Sequence, residues 1–487
     1  MDADNKAIGK TAIKGISWNL ANRLTSNIGQ IVIYFVLARL LTPSDFGIIA
    51  VVAVFVNLSR VFSNAGLGAS IVQQKKIDSV IYSSIFMSSF YISLIISLVL
   101  FCFSPYISSF YPEIEDLSLY IRLSIPAILF GTLNSIQTSV LQRDLKFKEI
   151  FFCTTIPVLI AGAISITLAY FGFGILSLLA NVFLCSFLSF IYCFAIYVDL
   201  PSFKINIYES KKALNFSYKI LLSALVEELN RSVFVLLIGY KFNQITLGNY
   251  NFGKQIPGVA SATLNASLAS VLFPFYARLD VTKEEISIKY IKLLRSLNFL
   301  IIPFIFLSFL VSDKFILFFF TIKWINSVFF LKMFSIILGI HYLQTNITFY
   351  INSLGKSNIT LKYEIFKKSL SFVVLLITLP FDVQTIVFGQ VFVAICSVFL
   401  MTIPTAKYLN YSILNQIKDI FEVVLINSLI FIFLNLLSKY FLVGYLSLIV
   451  YPILYFFLYF LISFTLNLKS FQSLYFLINF IFKNKNE

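Results

Sequence analysis

Arg23 and Arg60 are the side chains of this chain best suited to do chemistry, because each stands in a polar stripe inside a long apolar run with no acid nearby. In the first run Asn19, Asn22, Arg23, Ser26, Asn27 and Gln30 recur at helical steps, and in the second Asn57, Arg60 and Asn64 do the same. That spacing gathers each set on one face of a helix. A cation at mid-bilayer costs roughly 2.5–3.5 kcal/mol on insertion scales, so each is expected to face a protein interior or a water-filled cavity. A guanidinium without a carboxylate offers parallel donors that suit a phosphate. The pattern points to a membrane transporter with an anionic cargo. The same side chains would also serve as glue, bonding backbone carbonyls and neighbouring amides between helices.

Further polar sets interrupt later apolar runs. Glu227, Glu228, Asn230 and Arg231 fall together, and Glu227 and Arg231 are spaced for an ion pair within one helix. That leaves Glu228 without an evident partner, and an intramembrane carboxylate is a candidate for H⁺ or Na⁺ coupling. Asn251, Lys254, Gln255, Gly258 and Asn265 lie near one face, with Pro257 able to kink it. His341, Gln344, Thr345, Thr348 and Asn352 form another such face, and Asn134, Gln137 and Thr138 a third. Amides and hydroxyls of this kind hold sugars or seal helix interfaces. The candidate contacts for an anionic phosphate group and for sugars are Arg23, Arg60, Asn22, Asn57, Asn64, Asn251, Lys254 and Gln255. The candidate coupling group is Glu228 with Glu227 and Arg231. Cys102, Cys153, Cys185, Cys193 and Cys396 lie in apolar runs without metal-ligand spacing, and His341 is a lone histidine. No catalytic triad and no glycine-rich phosphate loop stand out, so neither an enzyme nor a cofactor beyond a coupling ion is expected.

The elements that must position these residues follow from composition. The 487 residues are 59% hydrophobic and 12% charged, with mean hydropathy +0.90. A soluble domain is about 25% charged. Apolar runs near 20 residues recur from end to end, which predicts an all-α polytopic membrane protein with about 14 transmembrane helices. The expected spans are Gly15–Leu41, Phe46–Ile71, Val80–Phe103, Leu117–Leu141, Ile150–Phe171, Gly174–Val198 and Phe216–Gly239. The remainder are Thr246–Phe275, Leu293–Ser312, Ile325–Tyr350, Ile365–Leu379, Gln384–Thr405, Ile420–Leu437 and Leu442–Leu466. A formal charge of +15 would suit nucleic acid, but the bases gather in alternate connections. Examples are Arg143/Lys146/Lys148, Lys204/Lys211/Lys212 and Lys356/Lys362/Lys367/Lys368. By the positive-inside rule those connections and both termini are cytoplasmic, and no nucleic acid is expected. The start Met1–Gly15 is not expected to be a cleaved signal.

An internal echo also appears. Leu37-Ala38-Arg39 precedes Phe46-Gly47, and Gly239-Tyr240-Lys241 precedes Leu247-Gly248. A parallel repeat about an axis normal to the membrane would produce it, with the cargo path between lobes.

Three strings carry a resemblance. Trp18–Ile77 contains W-N-L-A-N-R-L, L-A-R-L-L-T-P-S-D-F-G and S-N-A-G-L-G-A-S-I-V-Q-Q-K-K; Leu141–Lys148 reads L-Q-R-D-L-K-F-K; and Leu247-Gly248-Asn249-Tyr250 runs on to Val271-Leu272-Phe273-Pro274. The chain resembles the Wzx-type polysaccharide flippases of the multidrug/oligosaccharidyl-lipid/polysaccharide (MOP) exporter superfamily over its first 280 residues or so, and by hydropathy beyond. Thr42 departs from the family pattern, where Gly is usual. The resemblance implies two pseudo-symmetric six-helix lobes, residues 1–200 and 201–406, and a C-terminal helix pair with tail, 407–487. It also implies a bacterial inner-membrane flippase for an undecaprenyl-pyrophosphate-linked oligosaccharide such as O-antigen. Membrane lipids, a polysaccharide polymerase and a chain-length regulator would be its partners. A cation-coupled multidrug antiporter should need an acidic first-lobe site, which this chain lacks. A polymerase should need a long outward loop. Lipid II export shares the pyrophosphate requirement and stays open.

Overall fold

A computed structural model describes residues 18, 21–22, 25–64, 66–74, 77–196, 206–277, 283–440 and 444–474. Helices dominate them. In chain order they are α1 (Thr25–Leu40), α2 (Pro43–Asn64), α3 (Leu67–Gln73), α4 (Ser79–Ser109), α5 (Leu117–Arg143), α6 (Phe147–Tyr170), α7 (Ile175–Ile196) and α8 (Ile207–Lys241). They continue as α9 (Gln244–Ala277), α10 (Lys283–Phe320), α11 (Ser327–Gly339), α12 (His341–Ser353), α13 (Ser357–Thr378), α14 (Val383–Leu409), α15 (Ile413–Tyr440) and α16 (Ser447–Thr465). A helical segment answers to each expected span. Among the described residues ten helices, counting α11–α12 as one, are long and apolar enough to cross a membrane. The chain is a multi-pass all-α membrane protein. Helices α8, α9 and α13 fall outside those ten, and they are the ones interrupted by Glu227/Glu228/Arg231, by Asn251/Lys254/Gln255 and by Lys362/Lys367/Lys368.

Local chemistry sets several boundaries. Thr42 and Asp45 cap α2 reciprocally: Asp45 Oδ2 accepts from the Thr42 amide (2.9 Å) and hydroxyl (2.7 Å), and Thr42 Oγ1 accepts from the Asp45 amide at 3.3 Å. The expected single span Phe46–Ile71 breaks at Gly66, whose φ of +69° suits glycine. There the Ser217 hydroxyl of α8 donates to the Gly66 carbonyl at 2.9 Å. The expected span Ile325–Tyr350 likewise breaks at Ile340 into α11 and α12. A Cβ on Gly339 would stand 2.7 Å from the Ile305 side chain of α10, which would have to move aside. Helix α10 runs past its expected end at Ser312 to Phe320, because Asp313 pairs with Lys332 at 2.6 Å and Lys314 stacks on Tyr451 at 4.8 Å.

The chain forms two compact units, Met1–Asn251 and Phe252–Glu487. In the first, α2 packs on α4, α5, α7 and α8. Its small-residue seams include the buried Ser84, Ser89, Ser93 and Ser97 of α4, which let helices approach closely where no hydrophobic force drives them together. Within this unit the sequence echo becomes a two-fold contact. Residues 201 positions apart take matching roles: Asn243 accepts from the Thr246 amide at 2.8 Å as Thr42 pairs with Asp45. A Cβ on Gly47 would fall 1.8 Å from the Gln244 carbonyl oxygen, and a Cβ on Gly248 would fall 1.8 Å from that of Pro43.

In the second unit α10 packs on α11, α14, α15 and α16, and α12 on α13 and α14. Helix α16 shows the inversion typical of lipid-facing helices. Tyr451, Tyr455 and Tyr459 point inward at helical spacing, while Ile449, Ile453, Phe457 and Phe464 are exposed. Tyr455 donates to Asn427 Oδ1 at 2.6 Å and Tyr459 to the Phe299 carbonyl at 3.1 Å, tying α16 to α15 and α10.

Candidate functional site

Arg60 lies late in α2, half-buried against α5 and α7. Its Nη2 donates to the Ala127 carbonyl at 3.1 Å and to Ser186 Oγ at 2.7 Å. Gly131, one turn beyond Ala127 on α5, makes the space: a Cβ there would stand 3.1 Å from Arg60 Nε. Nε is buried with no hydrogen-bond partner among the described residues. No carboxylate there lies within ion-pair distance of Arg60. A guanidinium has five donors, so this one is braced by two neutral acceptors and retains capacity and its full charge. Both readings of the sequence meet here, since the glue contacts exist and do not exhaust the fork.

The same unit holds other orphaned polar atoms. Asn64 Oδ1 on α2, Asn134 Oδ1 and both amide atoms of Gln137 on α5, and Asn181 Nδ2 on α7 are buried without a partner among the described residues. Buried amides left unpaired are costly, so each marks a place where water or a polar ligand would be favoured. Asn181 and Ser186 were not singled out in the sequence. A weak signal existed, since Asn181, Cys185 and Ser186 share one face of an otherwise apolar helix.

The other predicted residues are dispersed. Arg23 lies outside the described residues. Asn22 turns to α6, accepting from Thr154 Oγ1 at 2.7 Å and from Ser26 Oγ at 3.1 Å, and no hydrogen bond joins it to Arg60. Asn57 is exposed. In α9, Asn251 Nδ2 donates back to the Leu247 carbonyl at 3.3 Å, Lys254 stands over the Phe334 ring at 5.7 Å, and Gln255 is exposed. In α8, Arg231 pairs with Glu227 at 3.1 Å, as spacing predicted. The expectation that Glu228 lacks a partner is corrected: Arg231 Nη1 also lies 3.9 Å from Glu228 Oε2, and Ser232 Oγ donates to it at 3.2 Å. Glu228 is buried while Glu227 is exposed, so one arginine on a flexible stem reaches both carboxylates.

The second unit contains a set that sequence reasoning placed differently. Lys367, assigned to a cytoplasmic connection, stands inside α13, and its Nζ donates to Gln344 Oε1 at 2.7 Å. Helix α13 starts at Ser357, eight residues before the expected span Ile365–Leu379, which itself already included Lys367. Gln344 Nε2 donates in turn to Ser397 of α14, whose carbonyl accepts from Tyr363 at 2.8 Å. One turn before Gln344, His341 Nδ1 meets Asn265 Nδ2 of α9 at 3.0 Å. By contrast Arg295 is neutralised by Asp419 at 2.6 Å. On the neighbouring surfaces of α12, α14 and α15, an apolar cleft of about 280 Å³ is lined by Ile340, Leu343, Ile395, Phe399, Ile420 and Phe421, among others.

The family described as "polysaccharide biosynthesis protein" matches residues 36–329. The chain belongs to that family. Among curated relatives, the succinoglycan biosynthesis transport protein ExoT of Rhizobium meliloti is 24% identical over 57% of this chain and 56% of its own. The lipopolysaccharide biosynthesis protein WzxC of Escherichia coli is 22% identical over 74% of each chain. The match thus spans little more than half of ExoT. Among solved structures, the lipid II flippase MurJ in an inward closed conformation superposes with a TM-score of 0.67, at 13% identity, over 93% of this chain and 98% of its own. At that identity the likeness is one of fold, and it places this member of the polysaccharide biosynthesis family in the architecture of MurJ.

Proposed function

We propose that the chain is a flippase that moves an undecaprenyl-pyrophosphate-linked oligosaccharide across a bacterial inner membrane by alternating access. The cargo would be a repeat unit of O-antigen, capsule or exopolysaccharide. Arg60 carries this reading. An intramembrane guanidinium braced by Ala127 and Ser186, with an orphaned buried Nε and no carboxylate, is suited to a pyrophosphate that visits and leaves. A permanent anionic partner would have neutralised it, as Asp419 neutralises Arg295. Arg23, from the sequence alone, is assigned the same anion. The amides of Asn22, Asn57, Asn64, Asn251 and Gln255, with Lys254, are assigned to the glycan. The names of ExoT and WzxC support a polysaccharide precursor as cargo. The basic connections support cytoplasmic termini and about 14 crossings. Movement of a cargo without bond-making needs no catalytic residue, and a polymerase and a chain-length regulator would act beside it. Glu228 is assigned to a coupling H⁺ or Na⁺.

A lipid II flippase is the second reading, favoured by the fold shared with MurJ. It would use the same pyrophosphate contact. Rescue of a lipid II export defect rather than a surface-glycan defect would select it.

The test is complementation of a strain lacking its own repeat-unit flippase. Arg60→Ala should reduce surface glycan by about tenfold or more at normal protein level, as expected for loss of a charge-assisted hydrogen bond in a dry site. Arg60→Lys should restore part of it, because an ammonium keeps the charge and loses the fork. Unchanged glycan in Arg60→Ala would remove this residue from the cargo path.

A further inference from the structure

Lys367 of α13 is a further cation that forms no ion pair with a carboxylate among the described residues, and its surroundings differ from those of Arg60. The ammonium has three donors and gives one to Gln344 Oε1 at 2.7 Å. Gln344 is buried and bonded at both amide atoms, since its Nε2 donates to Ser397 Oγ, whose own hydroxyl donates to the Ala394 carbonyl at 2.6 Å. The lysine is therefore held in place by a braced amide while remaining half-buried and partly accessible. Glu364 stands one turn earlier on the same helix without forming an ion pair with it. Apart from Glu364 and the adjacent Lys368, the groups around this point are neutral: His341, Asn265, Tyr363 and Ser397. Asn265 Nδ2 reaches both His341 Nδ1 and Ser261 Oγ (3.2 Å), and its Oδ1 is buried with no partner among the described residues.

We infer that this network in the second unit is a glycan subsite selective for an acidic sugar, with Lys367 taking the sugar carboxylate and the amides, imidazole and hydroxyls taking ring hydroxyls. This rests on the transport reading above. A coupling cation is excluded by charge, because a site centred on an ammonium repels Na⁺. A pyrophosphate carries more charge than one point-like ammonium balances, and no arginine fork faces it here. A monoanionic carboxylate matches a single ammonium with two donors to spare. Hydroxyl recognition needs donors and acceptors in rotamers fixed in advance, which the Gln344–Ser397–Ala394 chain supplies. The orphaned Asn265 Oδ1 is an acceptor waiting for a hydroxyl donor.

The test uses the full chain in lipid nanodiscs with three probes: trigalacturonate, maltotriose and inorganic pyrophosphate. Wild type should bind trigalacturonate about tenfold more tightly than maltotriose, the worth of one charge-assisted bond. Lys367→Gln should abolish that ratio, and Lys367→Arg should keep part of it. Equal affinity of wild type for the acidic and neutral trisaccharides would overturn the inference whether or not Lys367→Gln folds. So would displacement of trigalacturonate by equimolar pyrophosphate, which would make the site a general anion trap. Surface glycan in the complemented strain separates the two claims. Export with an unchanged acidic preference in Lys367→Gln sinks the subsite alone. A chain that exports no glycan yet binds trigalacturonate through Lys367 upholds the subsite and sinks the transport reading.

Discussion

Glu228 and Arg60 illustrate how burial sorts residues of similar type. Glu227 and Glu228 are adjacent, yet Glu227 is exposed beside Arg231 while Glu228 is turned inward, held by Ser232 at 3.2 Å and by the more distant Arg231. A buried carboxylate with a weak, shared counter-charge can trade Arg231 for a coupling cation during a cycle. A fully paired one cannot do so cheaply. Glu228→Gln keeps the Ser232 acceptor and removes the charge. Glycan export by that variant should become insensitive to the proton and Na⁺ gradients, read as surface glycan in cells with each gradient collapsed in turn. If export keeps the wild-type dependence on both, the coupling role of Glu228 is wrong. Glu227→Gln, on the exposed side of the pair, should leave the gradient dependence intact.

At the scale of elements, the starts of α2 and α9 form one device. Each is capped by its own polar residue, Thr42 with Asp45 and Asn243 with Thr246. Each then presents a glycine to the other's first-turn carbonyl, with no room for a methyl group. Overpacking a tight contact costs about 1–3 kcal/mol, and an obstacle that is backbone cannot move aside as a side chain would. Gly47→Ala and Gly248→Ala should each lower the thermal midpoint of the detergent-solubilised chain by several degrees and reduce export. Gly258→Ala, whose added Cβ would meet Leu338 at an ordinary 4.0 Å, should match wild type in both. Equal midpoints for all three variants would show that the two helix starts do not hold each other as described.

For the whole molecule, the proposed cargo sets the demand. A lipid-linked glycan has a tail that need never leave the bilayer and a polar head that must cross it. Alternating access with a lateral opening satisfies both requirements; a narrow pore does not. Asn57, in the membrane helix α2, and Gln255, in α9, bear exposed amides, and such groups are disfavoured against hydrocarbon and favoured against water. Single cysteines at 57 and 255, in a background lacking the native five, should react with a membrane-impermeant maleimide, and cargo should change the rate at both. If both stay inert from either side under every condition, these faces are packing seams and the path lies elsewhere.

The sequence by itself determined what depends on neighbours a turn away. Hydropathy and length placed the helical blocks, the four-residue spacing placed Glu227 against Arg231, and the lack of a nearby acid marked Arg60 as a cation without a local partner. Contacts across long sequence separations have no periodicity to announce them. Ala127 and Ser186 meet Arg60 from 67 and 126 residues away, and only the packing of α2 on α5 and α7 brings them there. The partner of Lys367 was hidden for a related reason. Its position in a run of four bases reads as a solvated connection, and the amide that draws it inward stands 23 residues earlier on another helix. The breaks at Gly66 and Ile340 were also invisible in hydropathy, because an apolar run gives no sign of where a neighbouring helix will crowd its backbone. The sequence thus fixes which segments are helical and which charges are left over, because those follow from composition and local spacing. Tertiary structure decides which leftover charge is braced, which is neutralised and which stays open, because that depends on what the neighbouring helices bring to it.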